Sequence, residues 1–157
     1  RIRAMSTMLE RICADLKTAM KSRQDREVAV LRLLKSEAQK LQADKGVSYQ
    51  ITDEDVQQIV RRQIKQRQEA AEQYAAGGAQ ERADDELAEA KILEGYLPPQ
   101  MSRSELEALV QSTLDELGLT SPTAKDMGRI MGAVMPKVKG KADGTAVRAV
   151  VSDRMSR

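Results

Sequence analysis

Apolar side chains recur at three- and four-residue spacing from Met8 to Met155, and nowhere do they alternate as a half-buried strand requires. The chain is therefore expected to be all-α, each helix burying one stripe. Met8, Leu9, Ile12, Cys13, Leu16, Ala19 and Met20 set a first helix over about 6–22. The polar link Ser22-Arg23-Gln24-Asp25 is short enough to dictate an antiparallel hairpin with a second helix, carried by Val28, Leu31, Leu34, Ala38 and Leu41 and stopped by Gly46. Thr52 with Asp55 has the spacing of a capping box and opens a third helix through Val56, Ile59, Val60, Ile64, Ala71 and Tyr74 to the stop at Gly77-Gly78. A fourth, with Leu87, Ala90, Leu93 and Leu97 on its inner face, ends at Pro98-Pro99, because two adjacent prolines remove donors and bar the helical conformation before them.

That dipeptide is the expected domain boundary. It leaves an N-terminal domain of antiparallel helical hairpins over 5–97 and a small three-helix C-terminal bundle over 98–157. In the bundle, Ser102 and Glu105 form a second capping box before a helix that turns Leu106, Leu109, Val110, Leu114 and Leu117 inward and stops at Gly118. The next helix is expected over about 124–135. Asp143 then caps the last, which carries Val147, Val150, Val151 and Met155. Arg1-Ile2-Arg3-Ala4 precedes both Met5 and the regular pattern, and reads as an over-called start or a cloning remnant.

Composition removes whole classes of chemistry. The chain has no His, so Ser-His and Cys-His nucleophile pairs are excluded and the usual zinc ligand sets are lost. Its single cysteine, Cys13, allows no internal disulfide and lies on an apolar helix face, where it reads as core. No P-loop, dinucleotide fingerprint or nucleophile elbow occurs, so neither a catalytic residue nor a cofactor is assigned. Apolar runs fall well short of the roughly 20 residues that span a bilayer, and the chain reads as cytoplasmic. With no Phe or Trp and only Tyr49, Tyr74 and Tyr96, single-stranded bases find few stacking platforms. Any nucleic-acid contact must go to phosphates and shape.

Charge is distributed unevenly. Residues 79–120 hold 3 basic and 10 acidic side chains, whereas residues 121–157 hold 8 and 3, so the C-terminal end is electropositive. Within it lies KDMGRIMGAVMPKVKGKADG at 125–144, where Lys137, Lys139 and Lys141 alternate in a segment expected to loop between helices, with Gly140 and Gly144 freeing its backbone. A basic loop entering a helix N-terminus suits phosphate oxygens, and Lys125, Arg129 and Arg148 extend the candidate surface. The same pattern also describes a proline break with solvated lysines. Gly128 and Gly132 share a helix face and permit close approach of a neighbouring helix or an RNA backbone. Met127, Met131 and Met135 read as core filling.

In the third helix, Arg61, Arg62 and Lys65 form either a second basic candidate or a solvated face, while Arg67 falls in line with the apolar stripe and needs a carboxylate such as Glu37 or Glu86. Asp53-Glu54-Asp55 and Asp84-Asp85-Glu86 lie near helix starts, where carboxylates offset the dipole.

Taken together with RRQIKQRQEA at 61–70, LEGYLPPQMSRSELEALV at 93–110 and LERICADLKTAMKSRQDREVAVLRLLKSE at 9–37, that basic stretch resembles the YqeY-like family, the GatB/YqeY type of bacterial protein. The match is loosest at GGAQERADDELAEA, residues 77–90. The resemblance implies a helical domain followed by a three-helix tail similar to the tail of the B subunit of the glutamine-dependent tRNA amidotransferase, which holds the body of the tRNA. It carries over Lys137, Lys139, Lys141 and the flanking glycines as RNA contacts, and no catalytic residue. The expected function is thus an accessory module for tRNA or another structured RNA. A carbon–nitrogen ligase role with glutamine as amide donor, exercised only with other subunits, is the enzymatic alternative; a protein-protein adapter is the other. Neither a metal nor a membrane is an expected partner.

Overall fold

A computed structural model describes residues 6–156, which leaves the reading of Arg1-Ile2-Arg3-Ala4 outside the described residues. The described residues are all-α: α1 (Thr7–Lys21), α2 (Asp25–Lys45), α3 (Asp53–Ala76), α4 (Gln80–Glu94), α5 (Arg103–Leu117), α6 (Met127–Val138) and α7 (Gly144–Met155), with a 3-10 turn at Ala124–Asp126 leading into α6. None of these helices is long and apolar enough to cross a membrane. The chain falls into two compact units, one ending at Leu97 and the other beginning at Pro98.

In the first unit, α1 pairs with α2 and α3 with α4 as antiparallel hairpins. The starts of α1 and α3 are held by side-chain caps. Ser6 Oγ accepts from Leu9 N at 3.0 Å, and Asp53, from the start of α3, accepts from Met8 N at 3.0 Å, so two orphan donors of α1 are satisfied, one of them across the fold. The Thr52–Asp55 box forms in both directions. Partial burial raises the pKa of the Asp55 carboxyl, but the bonds from Thr52 and from Tyr49 Oη (2.6 Å) outweigh it and hold the group below its ordinary value of 3.8. Ile12, Leu16, Val30, Leu31, Leu34, Val56, Ile59, Val60, Leu93 and Tyr96 make the core. Burial, together with the hydrogen bond to Asp15 at 2.5 Å, pushes the Tyr96 phenol far above its ordinary range, and Arg11 stacks over its ring at 4.5 Å.

Three sequence expectations change here, the first at Met20, which is 50% exposed rather than part of the buried stripe of α1. Leu87 is 48% exposed; the inner face of α4 is made instead by Ala83, Ala90 and Leu93, because α3 and α4 meet through small side chains such as Ala71. Arg67 does turn inward, but its partner is Glu89, one α4 turn beyond the Glu86 named above, at 3.1 Å.

The second unit packs α5, α6 and α7 around Leu106, Val110, Leu114, Ile130, Val134, Val138, Val147, Val150 and Val151. Met127, Met131 and Met135 are half-buried against this cluster, as their spacing suggested. Ser102 caps α5 by accepting from Glu105 N, but only this forward half of the expected box forms. Gly118 ends α5 at φ 71°, a left-handed position that L side chains disfavour. The following helix runs to Val138, past Pro136 rather than stopping at 135. The donor that Pro136 lacks would have bonded Gly132 O, whose residue is exposed and can be served by water; full burial of Val134 and Val138 holds the last turn in helical form.

Candidate nucleic-acid interface

The inward side of α6 is fixed by Ile130, Val134 and Val138, so its opposite side is fixed too. That outer side presents Lys125 from the preceding 3-10 turn, then Gly128, Arg129, Gly132 and Pro136, all exposed. A Cβ placed on Gly128 or Gly132 would meet nothing within 4 Å. The glycines therefore do not admit a neighbouring helix, which corrects the packing alternative; they leave bare backbone on an exposed basic face.

Apart from Glu105, the carboxylates among this unit's described residues are occupied internally. Asp126 accepts from Thr123 N at 2.9 Å, and Asp143 accepts from Ala146 N at 2.8 Å. Glu107 and Asp153 share Arg103 at 2.9 and 2.6 Å, which raises the guanidinium pKa through the bond to Glu107 above all. Glu116 holds Lys137 at 2.7 Å. By contrast, the side chains of Lys125, Arg129, Lys141 and Arg148 are exposed and make no hydrogen bond or ion pair among the described residues. Four cations are thus left to face outward.

The expected basic loop is rearranged by this packing. Lys137 belongs to the last turn of α6, and its Nζ donates to Thr113 Oγ1 at 3.2 Å as well as to Glu116. Nothing in local spacing announces that pairing, since both partners sit on another helix. Lys139 is the exposed C-cap of α6, and Lys141 follows Gly140, whose φ of 80° turns the chain toward α7. Gly144 packs beside Met135, with 3.9 Å between a built Cβ and the methionine's Cε, rather than offering open backbone. The N-terminus of α7 is also not free for a phosphate, because the Asp143 carboxylate already sits on it.

Lys137 and Lys141 nevertheless converge. Together with Pro99, Gln100, Met101, Glu105 and Leu109 they line an open cleft of about 480 Å³. Its rim is held by Met101 N donating to Lys141 O at 2.9 Å and Gln100 Nε2 donating to Gly140 O at 3.1 Å. The α3 candidate is not assembled in the same way. Arg62 pairs with Glu37 at 3.5 Å, Arg61 is half-buried, and only Lys65 is exposed and unpaired. Among the described residues no group of three or more His, Cys, Asp or Glu is placed to hold a metal ion.

Comparison with known proteins bears on the fold as a whole. A relative from Pyrenophora tritici-repentis (strain Pt-1C-BFP), the mitochondrial "Altered inheritance of mitochondria protein 41", is 29% identical over 139 residues, covering 87% of this chain and 74% of its own length. The family model described as "Yqey-like protein" matches residues 9–155, through both helical units and the whole basic face of α6, and the chain belongs to that family.

Proposed function

We propose that this chain is an RNA-binding accessory module that grips backbone phosphates through its C-terminal bundle. The observation that carries the reading is the outer face of α6, where Lys125 and Arg129 stand unpaired beside two glycines that leave the backbone bare. Lysine ammonium groups and the arginine fork supply charge to phosphate oxygens, and the missing side chains let a sugar-phosphate strand lie close to the helix. Lys141 and Arg148 extend the same sign of charge. Residues 98–157 contain no aromatic side chain, so recognition follows shape and charge rather than base identity. The resemblance that the sequence motifs imply to the tail of the tRNA amidotransferase B subunit makes tRNA the first RNA to try.

The test is a titration of the full chain with bulk tRNA across salt concentrations. Four phosphate contacts give a fall in log K of roughly 3 to 4 per decade of salt. Changing Lys125, Arg129, Lys141 and Arg148 together to Glu removes most of the binding and of its salt dependence, whereas reversing Arg62 and Lys65 on α3 changes far less. If the wild-type chain fails to bind tRNA at low salt, or the two sets of substitutions cost the same, the proposal is wrong.

A further inference from the structure

The turn between α1 and α2 is built around a residue its geometry disfavours. Gln24 N donates to Ala19 O at 3.0 Å and Arg23 N to Met20 O at 3.3 Å, the paired bonds of a Schellman ending. This ending needs one residue in the left-handed region, where glycine is the common occupant because a Cβ crowds the backbone. The chain follows that rule at Gly118, but here the position is held by Arg23 at φ 55°, the one non-glycine residue with positive φ among the described residues.

No contact within the fold compensates. The Arg23 side chain is exposed and makes no hydrogen bond, ion pair or ring contact among the described residues. Lys17 and Lys21, one turn apart on the outer side of α1, are likewise exposed and unpaired, and Met20 between them is 50% exposed. Of the neighbouring carboxylates, Asp25 opens α2 and Asp85 is neutralised by Arg26 at 2.8 Å. A cation kept in an unfavourable conformation, unpaired inside the molecule and flanked by two more, has the character of a contact made to something outside it.

We propose that the α1–α2 turn is a second contact for RNA backbone phosphates, with Arg23 at its tip and Lys17 and Lys21 behind it. The inference rests on the RNA-binding reading and adds to it a contact on the N-terminal unit. It makes a prediction of opposite signs that a merely structural residue does not share.

In the full chain, Arg23→Gly relieves the backbone and raises Tm by about 1–4 °C. It also weakens tRNA binding roughly threefold or more and lowers the salt slope by about one. Arg23→Lys keeps most of the affinity with no gain in Tm, and Lys17→Glu with Lys21→Glu weakens binding further. If Arg23→Gly raises Tm and leaves affinity and slope intact while the fourfold C-terminal variant still loses binding, this contact is overturned and the C-terminal reading stands. No tRNA binding by the wild type overturns both. Binding to phosphatidylserine vesicles that is lost in Arg23→Gly, with tRNA binding unchanged, assigns the turn to a membrane surface and overturns it as an RNA contact.

Discussion

Asp55 shows how much a single side chain can be made to hold. It returns a bond to the N–H of Thr52, receives the Tyr49 hydroxyl, and sits with its carboxyl below the ordinary value of 3.8. Because the folded value is depressed, the stability this carboxylate supplies is present above pH 3.8 and is lost as pH falls through the folded value. Asp55→Asn is therefore expected to cost about 1 kcal/mol at neutral pH, the order of a lost cap, and the difference from wild type should close in acid. Denaturant titrations at pH 7 and pH 3 measure it; a difference that persists unchanged at pH 3 contradicts the assignment. Caps of this kind are legible in sequence because Thr52, Ser102, Asp143 and Gly118 answer a demand of the backbone within three residues. The partner of Arg67 is not, since Glu89 is selected by how α3 slides against α4.

Among the elements, α4 and α6 mark where periodicity stops being enough. Apolar character suggested that Leu87 faces inward, but the alanines of α3 and α4 bring the two backbones close and leave that larger side chain outside. In α6, a proline that should end a helix is overruled by the burial of Val138 beyond it, and the same extra turn carries Lys137 onto Glu116. The glycines of α6 make the sharper test. With open space around each and helical backbone, Gly128→Ala and Gly132→Ala should each stabilise the protein by roughly 0.5–1 kcal/mol. If RNA lies on this face, Gly132→Glu should fold normally and bind tRNA at least tenfold more weakly, by adding both bulk and negative charge. Unchanged binding by the Glu variant places the RNA elsewhere.

On the scale of the whole molecule, an all-α chain was legible from spacing alone, and so was the electropositive C-terminal end. Which cations remain available was not, because pairing depends on helix-to-helix register: Lys137 is taken up, while Lys125, Arg129, Lys141 and Arg148 are left. Stability follows the two apolar clusters, which share no residue. Leu114 is fully buried in the C-terminal one, and Leu114→Ala should cost about 2–5 kcal/mol. Calorimetry of the full chain is expected to show two melting events, of which that substitution lowers only one; a single shared transition would refute the separation. Clusters that melt separately are also expected to contain damage. On that expectation one half loses its integrity to mutation or heat while the other keeps its shape, and impairment arrives in instalments rather than as one collapse.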